Sequence, residues 1–200
     1  MASTLRDRRK LQTAADIQRA AVSLALSSGY ESLTTEMIAV EAGISLRTFF
    51  NYYPNKDAAI VGQRPVIDDE NIELFRASSG PLIDDLFLIL KPMLNDAILD
   101  RELARMIGEL LARCPDLFSL FHASLGKLNE QLKTLIIERI GAGHDDDAEL
   151  LAQTITYSIS FGFKNWAEDA SLDRDQITVI ARQRIRALTS ILRNNQTLTD

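Results

Sequence analysis

"TTEMIAVEAGISLRTFFNYYPNK", residues 34–56, decides the fold. Thr34 or Thr35 can cap a short helix through its hydroxyl. Ile38, Ala39 and Ala42 then fall on one side of that helix, facing inward. Gly43 allows a tight turn, and Ser45 is placed to cap a second helix that begins at Leu46. Upstream, Ala14, Ile17, Ala21, Leu24 and Ala25 recur at helical spacing and predict a longer helix over Gln12–Ser28, stopped by Gly29. Two short helices joined by a glycine turn and braced by a longer one form a helix-turn-helix, here over about residues 34–53.

Placed on a wheel of about 100° per residue, residues 46–53 divide into faces. Phe49 and Tyr53 lie together, with Leu46 between them. Arg47 and Asn51 pair on the opposite side, Thr48 and Tyr52 pair beside them, and Phe50 falls on the boundary. One face is apolar. The other carries a guanidinium, a hydroxyl, an amide and a phenol, the groups that read base edges and hold phosphates in a major groove. A short amphipathic helix with a solvated polar face has the same wheel. The order of cap, helix, glycine turn, cap and helix favours the DNA reading. Arg6, Arg8, Arg9 and Lys10 precede the expected first helix. Such residues read either as a solvated terminus or as an arm reaching phosphates or the minor groove.

The stretch "GYESLTTEMIAVEAGISLRTFFNYYPNKDAAI", residues 29–60, resembles the DNA-binding domain of the tetracycline-repressor (TetR) family. Gly29-Tyr30, Thr34-Thr35, Ile38-Ala39, Ala42-Gly43-Ile44-Ser45, Thr48-Phe49, Pro54 and Lys56 carry the resemblance. It covers about fifty residues, and beyond residue 60 only the length and helical layout match. The resemblance implies that Arg47, Thr48 and Asn51 meet base edges and that Thr35, Tyr52 and Lys56 meet phosphates. The family usually has Tyr where this chain has Phe50, and often His where it has Tyr52. Glu36 stands where some members contact a base. A carboxylate there could accept from cytosine or simply face solvent at a helix start.

The chain has 200 residues, 46 % hydrophobic and 25 % charged, an ordinary globular composition. Its net charge of −6 is uneven. Residues 1–64 hold eight Lys or Arg against six Asp or Glu (+2), and residues 65–200 hold fourteen against twenty-two (−8). This excludes a nonspecific nucleic-acid coat and fits a small DNA-reading head on an acidic body. No apolar run approaches the roughly 18 residues of a membrane span. The start, MASTLRDRRKLQT, has no apolar stretch behind its basic residues, so no secretory leader is expected. A single cysteine, Cys114, leaves no intrachain disulfide. A cytoplasmic bacterial setting is the expectation.

Apolar residues recur at three and four throughout, and no strand-like alternation occurs. The expected class is all-α, with a three-helix head and a larger C-terminal bundle, about nine helices in total. The expected domains are 1–62 for DNA binding and 63–200 for ligand binding and dimerisation. Residues 64–80 read as a loop with a short helix. Pro81–Ile98 reads as a helix kinked or broken at Pro92. Glu102–Arg113 and a long Pro115–Ile140 follow. His144 with Asp145, Asp146 and Asp147 invites a metal reading, but adjacent residues do not converge on a helix. Acids favoured by a helix N-terminus are the preferred reading.

The last two helices carry apolar stripes that fit an internal helix pair or a dimer surface equally. The family pairs through its two C-terminal helices, and the resemblance therefore implies an interface at Ile155, Ser158, Gly162, Ile177, Ile185 and Leu188. It also implies a small-molecule effector that shifts the fourth helix and changes the spacing of two reading heads. Phe87, Met106, Leu110, Phe118, Phe121, Tyr157, Phe161 and Trp166 could line its pocket or be plain core. An apolar lining would suit an apolar or amphipathic effector. No phosphate loop, zinc spacing or paired-carboxylate signature is present, so neither an enzyme nor a cofactor is expected. The implied function is a dimeric, sequence-specific transcriptional regulator, a repressor released from a near-palindromic operator by its effector. An activator of the same fold, or a helical ligand-binding or scaffold protein without DNA binding, stays open.

Overall fold

The computed structural model describes residues 5–96 and 99–195, with the side chains of residues 5–8, 96, 194 and 195 outside the description. Eleven α-helices occur among the described residues, and no strand. They are α1 (Leu5–Ser28), α2 (Thr35–Glu41), α3 (Leu46–Tyr52), α4 (Lys56–Val61), α5 (Asp69–Ala77), α6 (Leu82–Asp96), α7 (Arg101–Arg113), α8 (Pro115–Ser124), α9 (Gly126–Ile140), α10 (Asp145–Glu168) and α11 (Gln176–Asn195). None is long and apolar enough to cross a membrane. The count exceeds nine because the long helix expected over Pro115–Ile140 is two, parted at Leu125. Pro92 neither breaks nor ends α6. Leu88, whose carbonyl loses its usual partner to the proline ring, lies on the exposed side of that helix.

The chain divides into two compact units, Met1–Arg64 with Ile98–Ser124, and Pro65–Ala97 with Leu125–Asp200. The sequence reading ended the head near residue 62 and assigned everything later to the body. In the first unit, however, Leu103, Ile107 and Leu110 of α7 and Leu117 of α8 join one core with Ile17, Ala21, Ile38, Phe49, Tyr53 and Ile60. A stripe of three apolar residues at helical spacing says that α7 must bury a face. It does not say against which partner.

The second unit is built on α10, which packs along α9 and α11. Buried Leu128, Leu132, Leu135 and Ile136 of α9 and Ala148, Ala152, Ile155 and Ile159 of α10 supply an aliphatic interior. One buried polar group needs explaining there. Asp85 pairs with Arg139 at 3.0 Å, and the same guanidinium donates to the carbonyls of Gly80 and Phe75, both at 2.9 Å. The cation also lies 4.4 Å from the centroid of the Phe75 ring. The Asp85 charge is therefore paired and three of the guanidinium N–H groups are engaged, which makes burial of Asp85 tolerable.

Three carboxylates of this unit sit below their ordinary range. Burial works to raise Asp85, but hydrogen bonds from Ser78 and Arg139, the Arg139 charge and the Gly80 N–H outweigh it. Arg76 lowers Glu138, and Lys91 with Asn95 lowers Asp175. Each binds its proton more weakly folded than unfolded. Each therefore contributes stability above the unfolded value, about pH 4, which is lost as pH falls through the lower folded one. Urea unfolding should show a midpoint that declines from about pH 4 downward. A midpoint unchanged through that range would contradict these assignments.

Candidate nucleic-acid interface

The reading head is assembled from caps. The Thr34 side chain accepts from the Met37 N–H at 3.3 Å to start α2, and Ser45 accepts from Thr48 at 3.0 Å to start α3. Asn55 accepts from Ala58 at 2.8 Å to start α4. Between α2 and α3 the chain reverses at Gly43, whose φ is +66°. The Gly43 N–H donates to the Val40 carbonyl and the Ile44 N–H to the Ala39 carbonyl. That pair of bonds closes the end of α2 and requires the left-handed conformation glycine adopts without strain. Phe49 is fully buried. Tyr53 is buried as well and donates its hydroxyl to the Ala14 carbonyl at 3.2 Å, tying α3 to α1. Burial pushes the Tyr53 phenol up to about 12.

These two anchors fix which side of α3 faces out. Arg47 and Asn51 are exposed, and Thr48 and Tyr52 are half-buried. The Thr48 hydroxyl shares a hydrogen bond with Ser45 at 2.8 Å, so it takes part in the cap as well as facing the surface. Phe50 is not at a sheltered seam. It is 51 % exposed and shares the outward arc with Arg47 and Asn51. Thr35 is half-buried and donates to the Glu36 carboxylate at 3.2 Å. Glu36 is held below the usual range by its own backbone N–H, then by the Thr34 and Thr35 hydroxyls. It is a charged acceptor on the exposed side of α2.

Lys56 is anchored within the head. Its ammonium donates to the Tyr30 carbonyl at 3.0 Å and to the Glu31 carbonyl at 3.5 Å, and sits 4.5 Å from the centroid of the Tyr30 ring. The Tyr30 hydroxyl in turn donates to Asp57 at 2.7 Å. Burial, with the bond and charge of Asp57, pushes that phenol up to about 12. This clamp joins the turn after α1 to the start of α4. Sequence reasoning missed it, although Gly29-Tyr30 and Lys56-Asp57 were both in view.

The basic residues before Gln12 do not form an extended arm. α1 begins at Leu5, so Arg8 and Arg9 lie on its first turns; Arg9 is exposed, and the Arg8 side chain is outside the described residues. Leu, Arg, Lys and Gln are all good helix formers and no glycine or proline interrupts them. The apolar stripe that marked the helix on the wheel begins later than the helix itself.

The residues expected to line a pocket are dispersed. Leu110, buried, and Met106, half-buried, belong to the core of the first unit. Phe118 and Phe121 lie on α8, with Phe118 exposed. Phe87 and Trp166 are buried in the second unit, on α6 and α10, while Tyr157 and Phe161 point outward from α10. The residues expected at a dimer interface are mostly inside one chain. Ile155, Ser158, Gly162, Ile177 and Ile185 are buried where α10 packs on α11, and only Leu188 is exposed. Gly162 does admit a close neighbour, and that neighbour is Ile177 of the chain's own α11. The outward stripe of these helices is Leu150, Tyr157 and Phe161 on α10, with Leu188, Ile191 and Leu192 on α11. His144 precedes α10, and Asp145, Asp146 and Asp147 occupy its first turn.

Residues 17–59 match the family profile described as "Bacterial regulatory proteins, tetR family". The matched span covers α2 and α3 entire, with Arg47 and Asn51 on the outward arc of α3. The head of the chain is thus similar to the TetR DNA-binding domain. The chain is 28 % identical over 151 residues to the HTH-type transcriptional regulator TcmR of Streptomyces glaucescens, covering 72 % of this chain and 67 % of TcmR. Its fold is shared with the fatty acid degradation regulator FadR from Bacillus halodurans, at 19 % identity and a TM-score of 0.51, over 86 % of this chain and 93 % of that one. The matched profile and TcmR are both of regulators, and the described residues of this chain form helices and no strand.

Proposed function

We propose that the protein is a homodimeric, sequence-specific DNA-binding repressor that leaves a near-palindromic operator when a small-molecule effector binds. The observation that carries the DNA reading is the outward arc of α3, where Arg47 and Asn51 are exposed over an anchor of buried Phe49 and Tyr53. Arg47 offers a bidentate donor for guanine, and Asn51 pairs best with adenine. Thr48 completes the base-reading set, while Thr35, Tyr52, Lys56 and the first-turn residues Arg8 and Arg9 hold phosphates.

Pairing is supported by the outward stripe on α10 and α11. Leu192 is 70 % and Tyr157 63 % exposed, and they stand with Leu150, Phe161, Leu188 and Ile191 on two neighbouring helices. Grouped exposed apolar residues of this size mark an association surface. A second copy of the same stripe is the self-complementary partner that a two-fold interface needs. The interface of the dimer is therefore this stripe and not the buried α10–α11 seam. Two heads then read two half-sites a whole number of turns apart. The effector is apolar or amphipathic, in keeping with an interior whose buried polar residues, among those described, are Asp85, Thr156 and Ser158. It must bind the DNA-incompetent state more tightly than the competent one to act at all.

Selection of bound duplexes from a random pool tests the proposal in one step. Two inverted half-sites should be recovered, and affinity for them should fall steeply as salt rises. A protein with no preferred sequence and no salt dependence would instead be a helical scaffold. Sedimentation at micromolar concentration should give a dimer that Leu192→Asp splits; a monomeric parent protein would end the dimer reading.

A further inference from the structure

Phe50 is the anomaly on the outward arc of α3. Arg47 and Asn51 on that arc are polar, while Phe50, between Arg47 and Leu46 on the wheel, exposes 51 % of its surface. Leu46, one turn earlier on the same side, is 36 % exposed. The Phe50 ring meets the fully buried Phe49 ring edge-on, with centroids 5.4 Å apart and planes at 86°. An edge-to-face contact with an immobile neighbour restricts where the outer ring can go. A single exposed apolar side chain is ordinary on a protein surface. This one stands beside Arg47 at the edge of the arc that the DNA reading turns toward the groove.

Chemistry narrows what it can meet. A phenyl group has no donor for a phosphate and would strip water from the anion without replacing it. It cannot hydrogen-bond a base edge either. The apolar group displayed in the major groove is the thymine C5-methyl. We infer that Phe50, backed by Leu46, reads a thymine C5-methyl in the major groove beside the base pair held by Arg47. This makes Phe50 a specificity-determining residue and places thymine next to the Arg47 contact in each half-site. The inference rests on the DNA-binding reading above.

The test uses the full chain and the duplex recovered from the random pool. Each thymine in turn is replaced by deoxyuridine, which keeps every hydrogen-bonding group and lacks only the methyl. One thymine per half-site should show a loss of about fourfold for the methyl contact. Phe50→Ala should bind the thymine and uridine duplexes equally, with helix content by circular dichroism unchanged. Phe50→Gln, a polar residue of good helix propensity, should lose the same discrimination and serves if the Ala variant misfolds. If deoxyuridine is tolerated everywhere, or if its penalty persists in the Phe50 variants, the inference is overturned while DNA binding stands. Recovery of no preferred sequence overturns both.

Discussion

Arg47→Ala should bind the selected operator roughly 1–3 kcal/mol more weakly, about 5- to 150-fold, and should lose discrimination at one base pair of each half-site. The guanidinium is exposed on α3 while the helix itself is anchored by Phe49 and by the Tyr53 hydrogen bond to Ala14. Truncating the side chain therefore removes a contact without loosening the scaffold. Lys56→Ala gives the contrasting profile. A lost phosphate contact weakens all sequences alike and reduces the salt slope by about one. Lys56 also donates to the Tyr30 carbonyl at 3.0 Å, so its loss should lower the stability of the head as well. Titrations against the operator and its point variants separate the two. If Arg47→Ala ranks the variants as the parent does, Arg47 reads no base.

Gly162→Ala should lower the melting temperature by roughly 2–12 °C. A β-carbon there would lie 2.5 Å from the Ile177 backbone carbonyl, which no side-chain rotation can relieve. α10 and α11 must separate, and overpacking of this kind costs about 1–3 kcal/mol, with each kcal/mol worth about 2–4 °C in a chain of this size. The same substitution in α7 makes the control. At Gly108 an added β-carbon meets nothing within 4 Å, so Gly108→Ala should be neutral or stabilising by up to about 1 kcal/mol through helix propensity. If both variants melt alike, the close approach of α10 and α11 is not what Gly162 serves. Gly162→Ala also tilts the outward stripe, so weaker self-association should accompany the lower melting point.

The two predictions mark how unequally the sequence could be read. At Arg47 the reading needed only local rules. Thr34, Gly43 and Ser45 act within a few residues of themselves, and the wheel over residues 46–53 follows from those eight side chains. Phe49 and Tyr53 were legible as anchors for that reason. Phe50 was not, because a residue at the boundary of two faces goes in or out according to where the neighbouring helices lie. At Gly162 the spacing showed room for a close neighbour and left an internal helix pair and a second chain equally open, and only the family resemblance favoured the second chain. Spacing tells that α10 and α11 each have a face to bury, and a face has no label for its partner.

The amino-acid sequence by itself determined the all-helical class, the capped helix-turn-helix over residues 34–53 and its likeness to the TetR DNA-binding domain, since each rests on periodicity, caps and a glycine turn that act over one or two helical turns. Only the tertiary structure decided that α7 and α8 join the head, that Lys56 is clamped against Tyr30, and that Ile155 to Ile185 face inward while Leu150 to Leu192 supply the outer stripe. Those are pairings between segments distant along the chain. They are chosen by which surfaces exclude the most water together, and no single segment carries that information.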